Sequence, residues 1–156
     1  MEEQIKKIPI TKGGLESLKQ ELDELVNVKR PRLVERLSNA RTQGDLMENT
    51  EYHNAKDELE FLDGRISELE EVLKFSVVAD GQRHGGTISL GTRVRLKANG
   101  VEHAYHIVGE WEADPAEKKI SHTSPLGQAL IGKKVGEKVE VEAPAGKVLY
   151  EILGIE

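Results

Sequence analysis

Residues 52–73 read YHNAKDELEFLDGRISELEEVL, and the apolar side chains in this stretch recur at regular steps. The steps alternate between three and four residues, at Tyr52, Ala55, Leu59, Leu62, Ile66, Leu69 and Leu73. Glutamate, lysine and aspartate occupy most of the positions in between. This spacing is the a/d seam of a coiled coil, in which one narrow apolar stripe faces a partner helix. The stretch therefore predicts a long helix that packs against one other helix.

The partner helix is predicted upstream, where a second apolar stripe occurs. Its members are Leu15, Leu18, Leu22 and Leu25, and after Pro31 the stripe resumes with Leu33, Leu37 and Ala40. Thr11 is placed to cap the start of this helix. Pro31 lacks an amide donor and crowds the preceding turn, so we expect it to bend the helix or shift its phase.

The two stripes are mirror images about Leu46. The paired positions are Ala40 with Tyr52, Leu37 with Ala55, Leu33 with Leu59, and Val26 with Ile66. Arg30 opposite Leu62 breaks the pattern, which we attribute to the phase shift at Pro31. Each helix would run about 30 residues, or roughly 45 Å. The sequence thus predicts an antiparallel helical hairpin with Leu46 at its apex.

Composition limits the remaining possibilities. The 156-residue chain carries 22 Lys+Arg and 28 Asp+Glu, for a net charge of −6. A negative balance argues against a broad basic face that grips nucleic acid. The chain has no cysteine, which excludes disulfides, a thiol nucleophile and cysteine-ligated metals. No secretory signal is visible near Met1, and no apolar run approaches the ~18 residues of a membrane span.

The second half of the chain has the composition of strands and turns. It holds 11 of the 15 glycines, all after Phe75. We predict a short helix that begins after Ser124 and stops at Gly132, and a hairpin turn at Asn99-Gly100. The candidate strands are Ser76–Asp80, Thr87–Leu90, Arg93–Ala98, Ala104–Val108, Lys119–His122, Lys138–Glu142 and Val148–Leu153. The predicted fold class is α+β: a coiled-coil hairpin at 1–76 and a small antiparallel β-sheet domain with one short helix at 77–156.

The predicted bend of the hairpin concentrates carboxylates. Asp45 and Glu48 are three residues apart, and Glu51 follows one turn later. Groups at this spacing face the same way in a helical turn, where they could hold a hard cation if a partner supplied further ligands. The same pair also fits a capping box at a helix start, which on spacing alone is the simpler interpretation. The residues alone leave both open.

The stretch ARTQGDLMENTEYH at residues 40–53 resembles the tip signature of the bacterial transcript cleavage factors, the Gre family, and of its GreA branch in particular. Further matches follow at Gly64-Arg65-Ile66, at Ile107-Val108-Gly109 and at Ser124-Pro125-Leu126-Gly127. The resemblance covers nearly the whole chain. It implies a cytoplasmic, monomeric protein that is not an enzyme but assists one, with a C-terminal domain similar in fold to FKBP-type isomerases.

The resemblance also implies a mechanism. Such factors bind bacterial RNA polymerase at the β′ rim helices and pass the coiled coil down the secondary channel. The tip then stimulates cleavage of the extruded RNA 3′ end in backtracked complexes. Asp45 and Glu48 occupy the positions of the two acids that share the second Mg²⁺ with the polymerase. Two-metal hydrolysis needs such an ion about 4 Å from the first.

Other residues take roles by the same resemblance. Arg41 and Lys56 match positions that contact the extruded RNA, although an ordinary solvated helix face would also account for them. Leu46 would touch polymerase elements in the channel. Ser124, Pro125 and Leu126 match the surface that docks on the polymerase. The simpler interpretation of these three residues is a helix start with core packing.

Three alternatives stay open. A polymerase-binding inhibitor of the same fold would occupy the channel without promoting cleavage, but such homologues depart from the family at the tip, which this chain keeps. An active prolyl isomerase would need an aromatic pocket, and after Phe75 only Tyr105, Trp111 and Tyr150 are aromatic. A purely structural coiled coil would leave the acidic tip unexplained.

Overall fold

The computed structural model describes residues 7–44, 48–79 and 86–156. It divides into two compact units. One unit is the helical segment Glu16–Phe75. The other contains the described residues through Leu15 together with those from Ser76 onward. The described residues before Glu16 therefore group with the C-terminal half of the chain, which no local pattern indicates.

The helical unit is an antiparallel hairpin, as predicted. Helices α1 (Lys12–Glu24) and α2 (Arg30–Arg41) are joined by a π-helical turn, Leu25–Lys29, and α3 spans Thr50–Phe75. Ion pairs cross between the two arms in antiparallel order. They join Arg36 to Glu51 and Glu58 at 2.8 and 3.1 Å, Arg30 to Asp63 at 2.8 Å and Arg65 to Glu21 at 3.0 Å. These pairs are largely exposed and set register more than stability.

The phase shift expected at Pro31 occurs in the π turn. The amide of Arg30 donates to the carbonyl of Leu25, five residues back. This wider turn changes which side chains face α3: Leu25 is 6% exposed, whereas Val26 is 38% exposed. The predicted pairing of Val26 with Ile66 is therefore wrong, because the inserted residue rotates Val26 out of the seam.

The rest of the seam in α3 follows the predicted spacing for most of its length. Ala55, Leu62, Ile66 and Leu69 are buried. At the end of the helix Val72 is 3% exposed, while Leu73 is only partly buried. A straight helix drifts relative to a strict heptad repeat, which accounts for the change at its last turn.

The described residues of the second unit form seven strands in two sheets. β1 (Ile8–Ile10) pairs in parallel with β2 (Ser76–Val78). The larger sheet has the order β5-β4-β3-β7-β6. Its strands are β3 (Arg93–Ala98), β4 (Val101–Val108), β5 (Lys119–Ser121), β6 (Lys138–Ala143) and β7 (Gly146–Ile155).

Two features of this sheet correct the sequence prediction. β5 pairs in parallel with β4, so the sheet is mixed and not wholly antiparallel. The chain between these strands passes through two short 3-10 turns, Glu110–Glu112 and Pro115–Glu117, and re-enters the sheet in the same direction. Thr87–Leu90 is not a strand: Ile88 is held instead by hydrogen bonds with Lys133 and Gly132.

The core of this unit lies between the larger sheet and the short helix α4 (Pro125–Leu130). Its buried members are Ile88, Val94, Leu96, Ile107, Leu130, Val139, Val141 and Ile152. The predicted turn between β3 and β4 is present, with positive φ at both Asn99 and Gly100. None of the helices in the described part of the chain combines the length and apolarity needed to cross a membrane.

Candidate functional site at the tip of the hairpin

Helix α2 ends at Arg41 in a tightened turn. The amide of Gln43 donates to the carbonyl of Ala40 at 3.2 Å, and the hydroxyl of Thr42 donates to the carbonyl of Asn39 at 2.7 Å. Gly44 has a positive φ of 122° with open space around its Cα. A side chain would strain this backbone conformation, so the glycine allows the chain to leave the helix direction here.

Asn49 connects the two arms of the hairpin. Its side-chain nitrogen donates to the carbonyl of Ala40, near the end of α2, at 2.6 Å. Its side-chain oxygen accepts from the amide of Tyr52, in the first turn of α3, at 3.1 Å. One amide group therefore caps α3 and adds a further hydrogen bond to a carbonyl at the end of α2.

Glu48 lies at the tip, immediately before this cap, and is exposed. Because α3 begins at Thr50 and takes its cap from Asn49, Glu48 lies before the helix and not in its first turn. The capping-box interpretation also depends on Asp45, so it stays a prediction. Asp45 and the predicted apex residue Leu46 lie outside the described residues.

The described part of the chain does not assemble a metal site by itself. Among residues 7–44, 48–79 and 86–156, no group of three or more histidine, aspartate or glutamate side chains is placed to hold an ion. Glu48 presents one exposed carboxylate, a hard oxygen donor of the kind Mg²⁺ prefers. Its chemistry fits one ligand of a shared ion, and further ligands would have to come from elsewhere.

The two predicted RNA-contact residues, Arg41 and Lys56, both lie near Tyr52. The Arg41 guanidinium is 5.8 Å from the centre of the Tyr52 ring. Lys56 is one turn beyond Tyr52 on α3, so the two share a face about 6 Å apart along the axis. Arg41 and Lys56 are both exposed. The arrangement leaves two cations available on the surface next to the tip.

Tyr52 itself is only partly buried, although its place in the seam suggested a core residue. Its ring contacts the Arg41 guanidinium, and the centres of the Tyr52 and His53 rings lie 5.4 Å apart in a T-shaped arrangement. Such a cation–π contact orients the arginine at modest energy. Tyr52 therefore positions Arg41 beside the tip.

The three predicted docking residues lie at the start of α4, in the other unit. The Ser124 hydroxyl accepts from the amide of Gly127 at 3.0 Å and donates to the carbonyl of Ser121 at 2.6 Å, so Ser124 is the helix cap. Leu126 packs against the core. Pro125, at the first position of the helix, is exposed. Of the three, Pro125 presents the most surface to a partner.

Sequence reasoning missed Asn49 as a positioning residue. A signal was present, because Asn is among the preferred N-cap residues and Thr50-Glu51 opens the strongest helical pattern in the chain. The bridge to Ala40 carried no local signal, since it joins residues nine apart across a turn.

Comparison with known proteins gives the family. The model described as "Transcription elongation factor, N-terminal" matches residues 8–78, and that described as "Transcription elongation factor, GreA/GreB, C-term" matches residues 82–156. The transcription elongation factor GreA of a Bradyrhizobium species is 47% identical over 155 residues, covering 97% of this chain and 98% of the relative. The GreA of Bacillus anthracis is 44% identical over 154 residues, with the same coverage of both chains.

Among solved structures, the crystal structure of GreA factor homolog 1 of Thermus thermophilus aligns over 97% of this chain and 99% of that chain. Its sequence identity is 28% and its TM-score 0.45, and the family assignment does not rest on this superposition. The family assignment rests on two family models that together span most of the chain and on relatives that match it over nearly their full length. The chain belongs to the GreA/GreB family of transcription elongation factors.

Proposed function

We propose that this elongation factor binds bacterial RNA polymerase, inserts its hairpin through the secondary channel and stimulates the polymerase to cleave backtracked RNA. The observation that carries the proposal is the exposed carboxylate of Glu48 at the hairpin tip, in front of a helix that is capped by Asn49. A carboxylate with no capping duty in α3 is available to a partner.

In this proposal Asp45 and Glu48 would help to hold the second Mg²⁺ of the polymerase active centre. That ion, when bound, activates the attacking water and stabilises the developing charge on phosphate oxygens. The factor's own residues supply ligands and position and do not react. The hairpin serves as a rigid arm whose tip geometry is maintained by the hydrogen bonds of Asn49.

Arg41 and Lys56 would hold the extruded RNA by its phosphates. Both are exposed cations beside the acidic tip, and Arg41 is oriented by the ring of Tyr52. Phosphate contacts position a strand without reading its sequence. They would help most when the extruded RNA is long enough to reach them.

Docking is assigned to the start of α4. Pro125 is exposed on a helix start that Ser124 caps and Leu126 anchors in the core, which makes a rigid surface for a partner. Pro125→Ala in the full-length chain should weaken binding to polymerase and leave the hairpin unchanged. Unaltered binding would contradict this assignment.

The proposal is tested with a stalled, backtracked elongation complex. Asp45→Asn and Glu48→Gln remove charge at nearly constant size, and we expect both variants to bind polymerase normally while stimulation of cleavage is lost. Raised Mg²⁺ should restore part of the rate, because the missing carboxylate lowers occupancy of the ion. Glu60→Gln is the matched control: the same change at an exposed site on α3, three turns from the tip.

Each outcome distinguishes the alternatives. Wild-type cleavage by both tip variants at low Mg²⁺ would overturn the proposed mechanism. Binding with inhibition and no cleavage, even by the unmodified chain, would instead favour the channel-occupying inhibitor. A loss by Glu60→Gln equal to that of Glu48→Gln would point to a general charge effect.

A further inference from the structure

The larger sheet carries a cationic cleft that the role of the hairpin does not use. It has a volume of about 380 Å³ and is lined by four cationic side chains, Arg93, Arg95, Lys118 and Lys119, against two acidic ones, Glu117 and Glu156. The chain as a whole has a net charge of −6. A local excess of positive charge on an acidic protein marks a place where anions are attracted.

Strand register places three of these cations on one face. Arg93 is opposite His106 in the β3–β4 pair, and His106 is opposite Lys119 in the β4–β5 pair. Directly opposite residues project from the same side of a sheet. Arg95 is two residues from Arg93 and shares that side, about 6.6 Å along the strand. The face is the exposed one, since the intervening Val94 is in the core.

Small residues flank Arg95 on both neighbouring strands. Arg95 is paired with Ala104 on one side and with Gly154 on the other. A Cβ added at Gly154 would lie 2.9 Å from an Nη atom of Arg95 and 3.1 Å from its Nε. The missing side chain therefore lets the guanidinium lie across β7, and Ala104 leaves the middle of the face open.

The two arginines are not neutralised by nearby carboxylates. Within the described residues, neither Arg93 nor Arg95 has a carboxylate within salt-bridge distance, whereas Lys119 lies 3.2 Å from Glu117. An arginine fork binds phosphate oxygens through two parallel hydrogen bonds. Two such forks suit a ligand with several negative charges better than a ligand with a single carboxylate, and Lys119 is a third cation whose charge is shared with Glu117.

We propose that this cleft, formed by Arg93, Arg95 and Lys119 around Ala104, binds a small phosphate-bearing ligand of the diphosphate or triphosphate class. The arginines would grip separate phosphate groups, and Lys119 would add charge from the neighbouring strand. The site lies entirely within the unit that contains the sheet.

The test is a titration of the full-length protein with inorganic pyrophosphate, followed by amide chemical shifts. We expect saturable changes at Arg95, Ala104 and Gly154, with half-saturation below about 1 mM. Arg95→Gln and Ala104→Glu, both at exposed positions, should each weaken binding about tenfold or more. Lys97→Gln is the matched control, because Lys97 is exposed on the same strand and face but lies outside the cleft.

Several results would overturn the proposal. Non-saturating shifts that sodium chloride reproduces at equal ionic strength would indicate screening alone, as would an equal loss of binding in Lys97→Gln. A parallel arm uses a nucleoside triphosphate, which should bind at the same residues if the ligand is a free phosphate compound. Binding of single-stranded RNA without binding of pyrophosphate or the triphosphate would assign the cleft to a nucleic acid backbone instead.

Discussion

Asn49 should control the stability of the hairpin tip, and its two hydrogen bonds can be separated by substitution. Asn49→Ala removes both the cap on Tyr52 and the bridge to Ala40. Asn49→Ser keeps a hydroxyl that caps a helix well, but the shorter side chain does not reach the carbonyl of Ala40. The pair of variants therefore reports on the cap and on the bridge individually.

The expected magnitudes follow from the geometry. The cap, at 3.1 Å from the Tyr52 amide, should contribute about 1 kcal/mol. The bridge, at 2.6 Å to the carbonyl of Ala40 in a partly buried setting, should contribute about 1 kcal/mol more. We expect a local destabilisation of about 2 kcal/mol for Asn49→Ala and about 1 kcal/mol for Asn49→Ser.

Amide hydrogen exchange in the intact protein is the appropriate measurement, because it resolves local opening at the tip from global unfolding. A loss of 2 kcal/mol should speed exchange of the Tyr52 amide by about thirtyfold, and 1 kcal/mol by about fivefold. Asn54→Ala is the control, since Asn54 is exposed on the same helix. Equal exchange in the alanine variants at 49 and 54 would refute the role of Asn49, and equal exchange in Asn49→Ser and the unmodified chain would refute the bridge.

Three further outcomes are expected. In a urea titration, Gly14→Ala should lower the free energy of unfolding by about 2 kcal/mol or more, because the new Cβ would overlap the Glu112 carboxylate that accepts a hydrogen bond from Thr11. Gly13→Ala is the control: Gly13 has open space around it, so this variant should be neutral or slightly stabilised. Leu62→Ala should lower the free energy of unfolding by about 3 kcal/mol, because Leu62 is a seam residue that is 9% exposed. Phe61→Ala should lower it by less than about 0.5 kcal/mol, because Phe61 is 82% exposed. Similar losses for the two variants would contradict the observed seam. Burial lowers the pKa of His106 against the opposing effect of its hydrogen bond to a backbone carbonyl, so the unfolded chain binds that proton more readily. This contribution to stability is present above the ordinary histidine pKa of about 6.5 and is lost as the pH falls below it. His106→Gln should therefore flatten the decline in unfolding free energy below about pH 6.5 in urea titrations at a series of pH values.

The helical hairpin was predictable from sequence because its evidence is local and periodic. Apolar residues recur in α3 at every third or fourth position, so the burial of Ala55, Leu62, Ile66 and Leu69 follows from their spacing. The effect of Pro31 was predictable in kind, since a missing amide donor must disturb the preceding turn. Ser124 as a cap and Asn99-Gly100 as a turn were predictable for the same reason: short-range backbone chemistry decides them.

Only the tertiary structure decided the features that join distant parts of the chain. The direction of the phase shift, which buries Leu25 and exposes Val26, depends on how α3 packs against the π turn. The parallel entry of β5 depends on the path of the chain through two 3-10 turns.

The same holds for contacts between residues far apart in sequence. The amide of Thr11 donates to Glu112, 101 residues away. The cleft likewise brings together Arg93, Ala104 and Lys119 from three strands. The periodicity of a segment indicates which of its side chains face the core and which face solvent. It does not indicate which segments become neighbours, because that depends on packing across the whole fold.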